Sequence, residues 1–169
     1  MAVLDILHHP DPRLRNVAVP VEAVDDQVRR LADDLIETMY SARGIGLAAV
    51  QVGIARRVIV ADVSRERNDP IALINPRVAV VHGGEIEFEE GCLSVPGVHE
   101  AVSRPGRIGI EAWDRDGNRV SMEAEGTLAA CLQHEIDHLD GRLFVDYLSR
   151  LKQQRIRKRA LKQRREALA

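Results

Sequence analysis

Gln133-His134-Glu135-Ile136-Asp137-His138-Leu139-Asp140-Gly141 is the stretch on which the rest of the chain turns. On a helix, residues four apart sit one above the other on the same face. His134 and His138 can therefore present two imidazole nitrogens to one metal ion. Glu135, beside the first of them, can reach a water on that metal rather than the metal itself. This is the wiring of a hydrolase in which a metal acidifies water and a carboxylate moves the proton. The competing reading is the solvated polar face of an ordinary helix, and a third ligand elsewhere in the chain decides between them.

Upstream of that helix the pattern is mainly strand. Residues 57–63 and 71–74 are apolar and β-branched, and Asn75-Pro76 reads as a turn into 78–81. Gly83-Gly84 leads into an alternating run at 85–89, and 98–102, 107–113 and 119–123 read as three further strands, with an Asp116-Gly117 hairpin turn. The first helix spans about 25–42. Its apolar face carries Val28, Leu31, Ala32, Leu35, Ile36 and Met39, Asp25 or Asp26 caps its start, and Gly44 is its expected left-handed stop. The His-bearing helix spans about 127–139 and Gly141 ends it. Ser149 then caps a last helix to about residue 167, with a thin stripe of Leu151, Ile156, Ala160 and Leu161. The order helix, many strands, helix predicts an α+β fold: mainly antiparallel sheets around a central metal-binding helix, with a C-terminal helix.

Composition bounds the function. A chain of 169 residues, 45% apolar and 30% charged, is long enough for one domain with a substantial core. Aromatic residues are 3% of the chain, which argues against base stacking as its activity. No run approaches the ~20 apolar residues of a membrane span, and Met1–Asp5 does not read as a signal peptide, so the expected location is the cytoplasm. Two cysteines in a reducing compartment are more readily ligands or buried thiols than a disulfide. The formal charge of −2 is unevenly spread: residues 150–165 carry nine Lys or Arg and no acid, leaving 15 basic against 25 acidic residues in 1–149. The expected division is a catalytic body, 1–149, and a basic helical extension, 150–169, suited to a polyanionic partner.

The third ligand is not downstream. In one metalloprotease pattern a further His would fall at Phe144. In another a later Glu is needed, and the chain offers only Asp146, too near, or Glu166, inside the basic tail. The best candidate is upstream, Cys92 in Glu90-Gly91-Cys92-Leu93-Ser94, whose alternative role is that of a small buried residue. Gly44-Ile45-Gly46-Leu47-Ala48-Ala49-Val50-Gln51 offers a backbone that a ligand can approach closely. It lacks the Lys-Ser/Thr of a phosphate loop and the third glycine of a dinucleotide fingerprint. Gln51 is either a hydrogen-bonded backbone partner or an amide donor aimed into a cleft.

Those three segments, 44–51, 90–94 and 133–139, resemble in order and spacing the three signature motifs of peptide deformylases. Pro10–Arg15 and Gly141–Ser149 resemble the family as well, and the Glu-Gly-Cys-Leu-Ser form and the C-terminal helix resemble its bacterial type I branch. The resemblance implies removal of the formyl group from N-formylmethionine at the start of nascent polypeptides. It implies Cys92, His134 and His138 as metal ligands and Glu135 as general base. The oxyanion would be held by the metal, the Gln51 amide and the Leu93 N–H. The ligand set by itself points to zinc; the family's native ion is Fe(II), which zinc, nickel or cobalt replace. An apolar slot for methionine would be walled by Ile45, Ile86, Leu128 and Cys131, with backbone around Gly46 and Gly91 pairing with the peptide as an added strand. His99 stands where some members carry a peptide-contacting Arg. The basic helix is expected to dock on the ribosome. The rival readings are a general metallopeptidase and a noncatalytic ribosome-associated module with a structural metal.

Overall fold

The computed structural model describes all 169 residues. Helix α1 spans Asp26–Ser41. Strand β1 is Gly46–Ala48, β2 is Val58–Ala61, β3 is Ile71–Cys92, β4 is Val95–Trp113 and β5 is Arg119–Glu125. Helix α2 is Gly126–Leu139 and α3 is Arg150–Leu168. The five strands form one antiparallel sheet in sequence order. Leu47 lies opposite Val60, Ile59 opposite Leu73, Phe88 opposite Val102 and Ile110 opposite Met122.

The sheet is bent into two parts that share β3. Only Ile71–Ile74 of β3 pair with β2, while the remainder runs alongside β4. The bend comes from register shifts at Ile74/Arg77, Val78/Val80, His82/Glu85 and Gly91/Cys92, where an extra residue raises the local twist. The expected breaks at Asn75-Pro76, Gly83-Gly84 and around Pro105 are therefore not breaks. Asn75 takes a positive φ of 52°, and its side-chain amide is held at 2.8 Å in both directions by the backbone of Val21. Gly83, at φ 64°, takes up a further shift. Five expected short strands are in fact pieces of two long ones, three in β3 and two in β4, because turn-forming residues on an antiparallel ladder are absorbed as bulges.

Apolar faces divide among three packed clusters. The first joins the inner face of the sheet to α2 through Ile59, Leu73, Ile108, Ile110, Leu132 and Leu139. The second packs Val28, Leu31, Leu35 and Met39 of α1 onto β1 and β2. The third joins the Val95–Val102 hairpin arm to Leu143, Phe144, Val145 and Ile156. Asp25 caps α1 by accepting from the Val28 N–H at 3.0 Å. The left-handed residue after α1 is Arg43, φ 59°, not Gly44. Gly44 serves a different need, since a Cβ there would fall 2.5 Å from the Leu93 side chain. Ser149 caps α3 as expected, but the stripe narrows to one buried residue, Ile156; Leu151 is 57% exposed and Leu161 38%. No helix is long and apolar enough to cross a membrane.

Asp62, at the end of β2, is 2% exposed and organises the loop that follows. It accepts from the Tyr40 hydroxyl, from the Ser64 N–H and hydroxyl, and from the Asp69 N–H. Burial by itself would raise this carboxyl, but the bonds from Ser64, Tyr40 and Asp69 outweigh it and hold the carboxyl down at about 2. A group ionised more readily in the folded state stabilises the fold above its ordinary titration range and loses that contribution as pH falls towards the folded value. Asp62→Ala should therefore lower stability at pH 7 by about 2 kcal/mol, since it removes the shared acceptor of four part-buried hydrogen bonds. The difference from wild type should shrink between about pH 4 and pH 2, as read by denaturant melts across that range.

Candidate functional site

A positive φ of 61° at Gly126 turns the chain from β5 into α2. The helix is two-faced. Ala129, Leu132, Ile136 and Leu139 belong to the core, while Thr127, Ala130, Cys131, His134 and Glu135 border a cleft of about 670 Å³. His134, Glu135 and His138 are all buried, so the motif is not a solvated face. Cys92 ends β3 across the cleft, where the Gly91/Cys92 register shift turns the strand toward the helix.

There the sulfur and the two rings converge. Cys92 Sγ lies 3.4 Å from His138 Nε2, which lies 3.2 Å from His134 Nε2, and the three donor atoms are all within 4.8 Å of one another. Four-coordinate sites with N ligands at about 2.0–2.1 Å and S at about 2.3 Å have ligand–ligand edges of roughly 3.3–3.6 Å. Two of the three edges match this spacing and the third is no longer than 4.8 Å, so the three atoms can hold a divalent ion. One buried polar atom beside the cluster supports the same reading by having no protein partner: Glu135 Oε2. Glu135 Oε2 is turned to the cleft, 3.0 Å from where a Gly46 Cβ would stand.

The surroundings explain how the donors are held. Glu90, buried between β3 and α2, lies 2.9 Å from His134 Nδ1, which leaves Nε2 to face the cluster. Arg104 of β4 grips both oxygens of Glu90 through Nε and Nη2, and its Nη1 donates to Asp137 at 2.9 Å. The Tyr147 hydroxyl also donates to Asp137, and its ring lies 5.0 Å from the Arg104 guanidinium carbon. Phe144 stacks on the His134 ring with centroids 5.9 Å apart. The sulfur is approached by Ser94 N–H at 3.4 Å and Gln51 Nε2 at 3.6 Å. Gln51 is itself fixed, donating to Ser94 Oγ at 3.0 Å and accepting from Ala48 N–H at 2.9 Å. No backbone carbonyl accepts from the Leu93 N–H.

Electrostatics follow from burial and neighbours. Burial raises the Glu135 carboxyl to about 7. Burial and the adjacent His134 push His138 well below its ordinary range, so its ring is neutral and its lone pair free. For His134 burial also pulls downward, but the Cys92 sulfur and Glu90 together hold a proton on the ring and raise it. An ion seated between these donors competes with that proton, so its affinity increases with pH.

Of the residues singled out from the sequence, Cys92, His134, His138, Glu135, Gln51 and Leu93 border one cleft or the Cys/His donor cluster beside it, with Ile45, Gly46, Gly91 and Cys131 on the cleft walls. Two expected wall residues lie elsewhere. Ile86 is 52% exposed and covers Gly106 of β4; the wall position belongs to Phe88, two residues later on the same strand. Leu128 packs on the core cluster because it falls off the cleft face of α2, which Thr127 and Ala130 occupy. His99 also borders the cleft, its ring lying 2.7 Å from where a Gly91 Cβ would be. The sequence reading assigned nothing to Glu90, Ser94, Arg104, Asp137 or Tyr147. Strand alternation places Glu90 on the same face as Cys92 and could have signalled it; Arg104 depends on strand register and has no local signature.

Comparison with known proteins places this arrangement. The family model described as polypeptide deformylase matches residues 3–154. A peptide deformylase of Pseudomonas aeruginosa is 55% identical over 166 residues, covering 98% of this chain and 99% of its own. One from Alkalilimnicola ehrlichii is 58% identical over 160 residues, covering 94% and 89%. Among solved structures, a peptide deformylase from Legionella pneumophila superposes with a TM-score of 0.93 at 46% identity, covering 99% of this chain and 98% of its own. That from Ehrlichia chaffeensis in complex with actinonin gives 0.93 at 42% identity, covering 96% and 98%.

Removing the carboxylate behind His134 tests how the cluster is supported. Glu90→Ala should weaken binding of a divalent ion by about 10–100-fold in a metal titration. It should also destabilise the fold by about 3–5 kcal/mol, because Arg104 is left buried with half its partners gone.

Proposed function

The chain belongs to the polypeptide deformylase family, and from that premise we propose a residue-level account of its reaction. The enzyme is a metal-dependent hydrolase that removes the formyl group from N-formylmethionine at the start of nascent polypeptides, releasing formate. Cys92, His134 and His138 hold the metal. When bound, the ion supplies a Lewis acid that acidifies water and polarises the formyl carbonyl. By family resemblance the resident ion is Fe(II), and zinc, nickel or cobalt substitutes for it on the same thiolate and imidazoles.

Glu135 takes the proton of the attacking water and passes it to the leaving amine, so that formate and a free N-terminus are released. Its unpartnered, cleft-facing Oε2, beside the three converging donors, is the observation that carries this reading. The oxyanion that develops at the formyl carbon is held by the Gln51 amide and the Leu93 N–H, each worth about 2.7–4 kcal/mol. Gln51 cannot swing away, because Ser94 and Ala48 pin both ends of its amide. The peptide lies as an added strand between Gly46 and Gly91, along the edge of β3 that β4 does not cover. Methionine enters the slot bounded by Ile45, Phe88, Ala130 and Cys131. A thioether chain suits this apolar, irregular space. His99 in place of an Arg leaves the peptide beyond methionine with a weaker polar contact.

Residues 1–149 act as the catalytic unit in the cytoplasm and 150–169 as a ribosome-docking extension. The exposed Arg and Lys residues of α3 favour ribosomal RNA, whose phosphates give salt-sensitive binding. Ile156 anchors this helix to the third core cluster, so charge reversal is a cleaner probe than deletion.

Three measurements test the scheme. Anaerobically prepared enzyme should release formate from a formyl-Met peptide and leave an internal amide of the same sequence intact, with metal content quantified in parallel. Glu135→Ala should retain metal and lose about 10²–10⁴-fold in kcat; full turnover would refute the proton role. Lys158→Glu with Arg164→Glu and Arg165→Glu should abolish cosedimentation with ribosomes at moderate salt while sparing hydrolysis of the short peptide.

A further inference from the structure

The loop between β2 and β3 plays no part in the mechanism above, yet it reaches the cleft. Arg67, at φ 59°, extends its guanidinium back to α1 and donates through Nη2 to the carbonyl of Gly44. It lies over the Tyr40 ring, 5.3 Å from the centroid, and the Tyr40 hydroxyl in turn donates to the buried Asp62. Asp62 closes the circuit: its backbone N–H donates to the Ile45 carbonyl at 2.8 Å, where Cys131 Sγ also approaches at 3.5 Å. Both carbonyls of the Gly44-Ile45 segment are thus held from behind. The Ile45 N–H, by contrast, has no acceptor in the protein.

In a trans peptide unit the C=O and the following N–H point opposite ways. A guanidinium fixed on the Gly44 oxygen therefore turns the Ile45 N–H to the other side. We infer that Arg67 is a positioning residue for substrate binding: by holding the Gly44–Ile45 peptide unit it aims the unpartnered Ile45 N–H at the backbone of the bound peptide. This rests on the strand-addition reading of the cleft and extends it to a residue outside the cleft lining. The planar group matters as well as its charge, since it must lie on the Tyr40 ring and meet a carbonyl at its edge. Gly44 also touches Leu93, so the same peptide unit abuts the residue that carries the oxyanion donor.

The test uses the full-length, metal-loaded enzyme with a formyl-Met tripeptide, and the deformylated product peptide as a binding probe. Arg67→Met should raise KM about tenfold and weaken product-peptide binding equally, with kcat within about twofold and metal content unchanged. Arg67→Lys, which keeps the charge, should recover part of the loss. Arg115→Met, which removes an exposed bidentate pair with Asp33, is the control and should leave both parameters unchanged. An unchanged KM in Arg67→Met overturns the inference while leaving deformylation intact. So does a fall in Tm of more than about 5 °C in both Arg67 variants with kcat reduced alongside KM, since that is the signature of a scaffold loop. Wild-type enzyme that releases no formate refutes the functional reading itself, and the inference with it.

Discussion

A single buried carboxylate ties the molecule together. Glu90 sits on β3, is gripped by Arg104 from β4, and meets the ring of His134 on α2. Taking these charges out of water is costly, and the arrangement is tolerable because each group is paired on more than one side. Burial works to raise Glu90, yet His134 and Arg104 keep it ionised, while two carboxylates around Arg104 hold its proton firmly. The consequence is orientation. With Nδ1 of His134 committed to Glu90, Nε2 has one direction in which to face, and that direction is toward Cys92 and His138.

The rest of the site is built outward from this anchor by the same logic of committed atoms. Ser94 and Ala48 occupy the two ends of the Gln51 amide, and Phe144 closes one side of the His134 ring. What remains uncommitted is informative. Glu135 Oε2 and the N–H groups of Leu93 and Ile45 lack protein partners, and all three residues border one cleft. Buried polar groups are almost always satisfied, so the buried Glu135 Oε2 marks where a ligand completes the bonding, with the more exposed Leu93 and Ile45 N–H groups open beside it.

Small residues make this geometry possible. Gly44, Gly46 and Gly91 each stand where a Cβ would collide with Leu93, Cys131 or His99. Their absence of side chains lets the segments on either side of the cleft approach closely. The bulges of β3 do the corresponding work at larger scale. They bend one long strand so that its start pairs with β2 and its end delivers the Cys92 sulfur to the histidines of α2.

Much of this was legible in the residues alone. The i,i+4 histidines with their adjacent glutamate, the helix boundaries of α1 and α2, and the α+β character all come from periodicity and spacing, which are local. Cys92 was reachable by excluding other ligands and by resemblance. Local signals failed where strand pairing decides. Gly83-Gly84 and Asn75-Pro76 look like turns, and become bulges only because β4 runs alongside. Ile86 and Phe88 share a strand face, and only the bend of the sheet determines which one meets the cleft. Arg104 stands opposite Ile86 and reaches Glu90 along the sheet face, a contact that no local pattern signals. The sequence by itself determined which atoms can bind a metal and move a proton, because those are properties of side chains at short helical spacing. Tertiary structure decided which distant groups orient them, because a buried charge finds its partner through the packing of the whole sheet.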